Sequence, residues 1–272
     1  KIVSMKSPLV KCFFFLILFV CCSDSSEEVG DLEHLPSITI PLDVYRQVYG
    51  VTSDITIEGG FVYINTNGVP DHKSPYFKDT KWHDTLYEAY DNSNPNKFHT
   101  GAFHLNPNRV SELSISFKIP VSPSKSSTNS PTAMGPIGVS LNGVPFYNQY
   151  AAMSAPLTQE VNSFDNFNGH PAPLSPGAEN GSGGRYHYHM EPFWLTTNAS
   201  KDALLGFLLD GFPVYGPEEK GKTVTNSDLD AYHGHFLATK EFSSGIYHYH
   251  TTGDAPYING SGYYGSPGTV SQ

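Results

Sequence analysis

A mainly β, sandwich-like fold with long loops is what this sequence predicts, built from an N-terminal β segment and an internal tandem repeat. Three observations predict it. Charged residues are only 15% of the 272, against 25 glycines, 21 prolines and 17 tyrosines, a balance that suits strands and turns better than a helical bundle. Short alternating segments bounded by glycine or proline recur along the chain, as in residues 53–58 and 111–120. The string Tyr186-His187-Tyr188-His189 returns as Tyr247-His248-Tyr249-His250.

Residues 1–22 read as a secretory signal of the lipoprotein type, excluded from the fold. Lys6 and Lys11 precede an apolar run from Cys12 to Cys22 that is too short to span a bilayer. Cys22, with Cys21 second, closes that run as the candidate lipidated residue; an ordinary signal cleaved nearby is the alternative. Residues 23–36, acidic and serine-rich, read as a flexible tether. Together these predict export and a lipid anchor in the bacterial cell envelope, at the outer membrane or cell surface. All three cysteines lie in the signal, so the mature body holds neither a disulfide nor a thiolate ligand. A net charge of −10 argues against nucleic acid as a partner.

Residues 37–120 form the N-terminal β segment. Within it, 53–58 and 61–64 flank Gly59-Gly60 as a hairpin, 82–90 suggests a short helix, and 111–120 alternates as a strand. Residues 121–131, rich in Ser, Pro and Asn, read as a linker without core residues. Residues 132–265 hold the repeat pair, 136–196 and 204–260, in one domain with 37–120. The first unit opens with Ile137-Gly138-Val139-Ser140-Leu141-Asn142-Gly143-Val144-Pro145-Phe146-Tyr147; the second with Leu205-Gly206-Phe207-Leu208-Leu209-Asp210-Gly211-Phe212-Pro213-Val214-Tyr215, 68 residues later. Each block predicts a buried strand ending in a turn. Gly169-His170 recurs as Gly234-His235, 65 residues on, and the two Tyr-His-Tyr-His strings lie 61 apart. Residues 148–184 read as a long polar loop. Two such units should share one architecture, related by an approximate two-fold, and pack their apolar faces together.

In a strand, alternate side chains point to opposite faces. Each Tyr-His-Tyr-His should therefore bury both tyrosines and turn both histidines toward the histidine of its Gly-His loop. The candidate metal ligands are His170, His187 and His189 in the first unit and His235, His248 and His250 in the second, for copper or zinc, because imidazole suits both. One site per unit and one shared site at the interface both fit, the second requiring neighbouring Tyr-His-Tyr-His strands. Asp165 and Asp230, five residues before the loop histidines, are candidate acceptors orienting those imidazoles. Asp210 is the candidate general base should one unit be catalytic, its counterpart being Asn142; a turn residue bonding its own backbone is the alternative. His72, His83, His99 and His104 have no repeat partners and read as surface or locally bonded.

In order, these motifs (Asn67-Gly68-Val69-Pro70-Asp71-His72, the two Leu-Asn/Asp-Gly blocks, the Gly-His loops and the doubled Tyr-His-Tyr-His) resemble the YHYH domain family of secreted and cell-surface proteins, over roughly Val51 to Gly265. Many relatives carry Cys where this chain has Tyr232 and near Phe167, so a redox role does not carry over. Three functions follow: a metal-binding surface lipoprotein; a metal-dependent hydrolase or oxidase acting on a surface substrate; and a structural or adhesive β module without metal. The sequence has no Gly-x-Ser-x-Gly elbow and no His-Glu-x-x-His helix, so an enzyme would rest on the histidines alone.

Overall fold

The computed structural model describes residues 38–174, 183–260 and 262–272; the signal, Cys22 and the tether lie outside them. The N-terminal segment supplies α1 (Leu42–Tyr45), β1 (Thr56–Glu58), β2 (Phe61–Thr66), α2 (His83–Leu86), β3 (Ile115–Pro120) and β4 (Lys125–Ser130). The first unit contains β5 (Pro136–Ser140), β6 (Pro145–Tyr147), β7 (Tyr150–Ala151), β8 (Ala155–Pro156), β9 (Gly169–Pro173) and β10 (Gly184–Tyr188), then α3 (Phe193–Asn198). The second contains β11 (Leu204–Leu208), β12 (Pro213–Tyr215), β13 (Glu218–Glu219), β14 (Lys222–Thr223), β15 (Gly234–Leu237) and β16 (Ile246–His250), followed by β17 (Tyr263–Gly265) and β18 (Thr269–Ser271). The fold is mainly β, as the composition predicts.

The predicted hairpin is β1–β2, in register Thr56 to Tyr63. With β3 and β18 it makes a four-stranded sheet in the order β1-β2-β3-β18. In β2 and β3 alternate residues are buried, so each presents one apolar face, as expected of an antiparallel sheet wetted on one side.

The repeat pair forms one eight-stranded sheet in the order β15-β16-β12-β11-β5-β6-β10-β9. With equivalent strands paired off, this order reads the same from either end. At its centre β5 and β11 run antiparallel, pairing Ser140 with Gly206, Val139 with Phe207 and Gly138 with Leu208. These pairs interchange under the 68-residue offset, so the pseudo-two-fold passes through Val139 and Phe207. Gly138 and Gly206 are required there: a Cβ on Gly138 would stand 2.4 Å from the Phe207 carbonyl oxygen, and one on Gly206 2.1 Å from that of Val139. The units therefore join edge to edge through backbone hydrogen bonds, not face to face. Four strands separate β10 from β16, which excludes the single shared site.

β5, β6, β11 and β12 are buried throughout, which is why they read as continuous apolar runs without alternation. Ile137, Phe146, Phe207 and Val214 join Val62, Ile64, Phe117 and Ile119 of the smaller sheet in one apolar core. Tyr45 of α1 bridges the two, its ring 4.7 Å from that of Phe207.

The expected linker 121–131 is corrected. Val121 is buried, and β4 pairs antiparallel with β17. A Ser- and Thr-rich segment lacks a core face but keeps a full set of backbone donors and acceptors, and these suffice for a two-stranded pairing. The long loop 148–184 likewise contains β7, β8 and all of β9, with three short 3-10 turns.

Candidate metal centres

The tyrosines and histidines of each Tyr-His-Tyr-His divide between the two faces of the strand. Tyr186, Tyr188, Tyr247 and Tyr249 belong to the main core, and a large buried Tyr needs a partner for its hydroxyl. The turns shared by the two repeats supply those partners. Tyr186 donates to Asp165 Oδ2 at 2.7 Å and Tyr247 to Asp230 Oδ1 at 2.9 Å. Tyr249 donates to Asp210 Oδ2 at 2.6 Å, and Tyr188 accepts from Asn142 Nδ2 at 3.1 Å. The Gly-His loop thus holds the first tyrosine of each string, and the Asn/Asp-Gly turn holds the second.

This corrects two readings. Asp165 and Asp230 do not orient the imidazoles. Asp165 accepts from Ser74 Oγ, Tyr186 Oη and the amides of Phe167 and Gly169, because an Asp opening a tight loop finds that loop's N–H groups first. Asp210 lies on the tyrosine face, bonded to Phe212 N, Gly265 N and Tyr249, away from the imidazoles it would have to serve as a base. Burial pushes its carboxyl up to about 6, against the hydrogen bonds from Tyr249 and from the Gly265 and Phe212 amides. Asp165→Ala would leave two hydroxyls and two amides unpaired in the core, and is expected to cost about 3 kcal/mol in chemical denaturation.

On the other face the six predicted histidines gather into two groups of three. In the first unit, antiparallel pairing places His170 of β9 directly opposite His187 of β10; in the second, His235 of β15 lies opposite His248 of β16. His189 and His250 follow two residues on, on the same side of the sheet. His170 Nε2 lies 3.1 Å from His187 Nε2, which is 2.9 Å from His189 Nε2; His248 Nε2 and His250 Nε2 are 3.1 Å apart. Within each group all the prospective ligand atoms lie within 4.8 Å of one another.

The tautomers follow from the opposite ring nitrogens. His187 Nδ1 meets the Arg185 carbonyl at 2.9 Å, and His248 Nδ1 the Ile246 carbonyl at 2.9 Å. His189 Nδ1 meets the Asn148 carbonyl, and His250 Nδ1 that of Gly216. His235 Nδ1 meets the Asp228 carbonyl at 3.3 Å. A carbonyl can only accept, so each of these Nδ1 atoms carries the proton. His170 Nδ1 meets Ser163 Oγ, whose own proton goes to the Glu160 carbonyl, so this Nδ1 donates too. Every Nε2 is then an unprotonated lone pair aimed at other lone pairs, an arrangement that a cation at its centre would satisfy.

Protons fit that requirement poorly. Burial drives His170 and His187 well below the usual imidazole range, reinforced by the neighbouring imidazoles, and lowers His189 to about 4 and His250 to about 3. A metal ion fits better: three neutral imidazoles at about 2.0–2.1 Å set ligand nitrogens roughly 3.3 Å apart in a tetrahedral site, so the neighbouring pairs at 2.9–3.1 Å need to open by only a few tenths of an ångström. Nδ1 bonds to backbone carbonyls are also how ligating histidines are ordinarily oriented.

Glu219 of β13 is the site residue that the sequence reading missed. Its Oε2 lies 3.3 Å from His235 Nε2 and its Oε1 3.4 Å from His248 Nε2, adding a carboxylate to the second group. His235 Nε2 is a buried nitrogen without any hydrogen-bond partner. Other histidines are bonded outside the clusters: His83 Nδ1 accepts from the Asp79 amide at 3.4 Å, and His99 Nε2 meets the Phe164 carbonyl at 2.8 Å. His72 is buried, not at the surface, with Nε2 3.0 Å from Tyr188 Oη. His233 bonds Thr252 Oγ1 at 2.9 Å.

The structure is thus that of a duplicated β protein with one polyhistidine cluster per repeat. The YHYH protein family model matches residues 116–224 and 218–262, more than half of the chain, and the chain belongs to that family. No curated protein and no solved structure matches it. No helix among the described residues is long and apolar enough to cross a membrane.

Proposed function

We propose that this YHYH protein is an exported transition-metal-binding protein holding two ions per chain, one in each repeat, with copper and zinc as the ions its imidazoles suit. One observation carries the reading: six imidazoles, each held through Nδ1, aim unprotonated Nε2 atoms at two points. A purely structural module would have no use for that arrangement, because facing lone pairs destabilise a core unless something positive sits between them. The enzyme reading is weaker. His187, His189, His248 and His250 are at most 3% exposed, which leaves a substrate little room to reach the metal, and Asp210 serves a tyrosine on the other face.

Elemental analysis of protein purified from copper- and zinc-supplemented cultures tests it. Wild type should carry close to two equivalents of metal, and His248→Ala/His250→Ala close to one. Negligible metal in both, with a sharp loss of stability in the variant, would make the histidines structural.

The location proposed with this function is the cell envelope, through a lipid on Cys22, supported by the signal-like pattern of residues 1–22. Cys22→Ala should move the protein from the membrane fraction to the soluble one; unchanged membrane association would point to Cys21 or to a different anchor.

A further inference from the structure

The two centres are not equivalent, and the geometry points to different ions for them: a divalent ion such as zinc in the C-terminal centre and monovalent copper in the N-terminal one. This rests on the metal-binding reading above. The repeat explains where they diverge. Glu219 stands on the short β13–β14 hairpin directly after Tyr215-Gly216-Pro217, and both of its oxygens face imidazole nitrogens of the cluster. By the 68-residue offset its counterpart is Ala151, which has no donor. The C-terminal centre therefore offers three nitrogens and a carboxylate, the closed four-donor set that tetrahedral zinc takes.

The N-terminal centre offers three neutral imidazoles. The carboxylate nearest to it, Glu160, comes from a different place in the chain. Its Oε2 stands 3.6 Å from His170 Nε2, and the group whose ligand atoms converge does not include it. His170, His187 and His189 are 3%, 2% and 3% exposed. In such surroundings the cost of desolvating an ion rises with the square of its charge, so a dication costs roughly four times a monocation of the same size. A carboxylate ligand offsets much of that in the C-terminal centre. Without one, the N-terminal centre favours the monocation, and copper(I) accepts three-coordinate nitrogen ligation.

The methionines agree. Met134, Met153 and Met190 all lie in or beside the first unit, and the second has none. Met134 and Met153 are 48% and 95% exposed. Met134 Sδ accepts from Asn148 Nδ2 at 3.8 Å, and the Asn148 carbonyl is the group that orients His189. Thioether sulfur selects copper(I) over zinc, and Met134 is joined through the Asn148 side chain to the residue whose carbonyl orients His189.

Anaerobic competition titrations with zinc(II) and with copper(I), each buffered by a chromophoric chelator, test this on wild type and Glu219→Gln. Glu219 is partly exposed on a surface hairpin, so the variant should fold. Wild type is expected to bind one tight zinc and, alongside it, one copper(I). Glu219→Gln should weaken zinc at least tenfold and leave copper(I) affinity unchanged. Two zinc ions of equal affinity, or a Glu219→Gln variant with zinc binding intact, would overturn the inference while leaving the metal-binding function standing. Failure of wild type to bind either ion would remove both.

Discussion

Taking the metal-free protein from pH 7 to pH 4 should unfold it, with uptake of several protons. The sign follows from the buried histidines. His189 and His233 are lowered to about 4 and His250 to about 3, chiefly by burial, whereas in the unfolded chain each titrates near 6.5. A depressed folded pKa gives stability that is present above the unfolded value and lost as pH falls toward the folded one. For His189 that amounts to about 3 kcal/mol in full, and His170 and His187 act in the same direction. Asp210 opposes them: its folded pKa of about 6 is raised, so its penalty is relieved as pH drops from about 6 to about 4, for about 3 kcal/mol the other way. Five histidines outweigh one aspartate, and their sum is comparable with the 5–15 kcal/mol that holds an ordinary domain together. Circular dichroism against pH measures the effect. Bound metal should move the transition to lower pH, since it occupies only deprotonated ligands. A metal-free protein equally stable at pH 7 and pH 4.5 would contradict the buried, uncharged state of these histidines.

Gly234→Ala and Gly169→Ala should each cost about 3 kcal/mol or more, the largest effects expected of any single methyl group on the Gly-His loops. A Cβ on Gly234 would lie 2.5 Å from the His248 carbonyl oxygen and 2.5 Å from Tyr247 Oη. The carbonyl belongs to the neighbouring strand and cannot withdraw without breaking the β15–β16 ladder. On Gly169 the Cβ would lie 2.3–2.5 Å from Tyr186 Oη, Cζ and Cε1, and that hydroxyl is fixed by Asp165. Either substitution pushes the loop histidine away from its cross-strand partner, so metal content should fall with stability. Gly253→Ala, where an added Cβ meets nothing within 4 Å, should stay within about 0.5 kcal/mol of wild type. Equal denaturation midpoints for all three variants would refute the close packing of these loops on the tyrosines.

Much of this architecture is legible because duplication writes it twice. The alignment of Asn142 with Asp210 and of His170 with His235 identifies equivalent strands, and strand periodicity places the paired histidines on one face. What the repeat does not duplicate, it does not reveal. Glu219 escaped because its counterpart is Ala151; the signal that could have found it is the Pro217-Glu218-Glu219 turn directly after Gly216, whose carbonyl holds His250. Asp165 and Asp230 were found in the right loops but given the wrong partners, since spacing along the chain does not say which face of the adjacent strand a carboxylate will meet. His72, which meets Tyr188, and Ser74, which donates to Asp165, each across about a hundred residues, have partners that no local pattern reveals. Edge-to-edge union of the units was likewise hidden: hydrophobic pattern reports which faces are buried, whereas the β5–β11 seam is made by backbone groups and by two glycines.

The position of bound metal is the most direct test. Crystals of the protein loaded with zinc and copper(I) together, measured at the absorption edge of each metal, should show two anomalous peaks per chain. One should lie about 2.0–2.1 Å from the Nε2 atoms of His170, His187 and His189, the other at the same distance from those of His235, His248 and His250. Anomalous density confined to surface carboxylates, with both histidine clusters empty at saturating metal, would contradict the account.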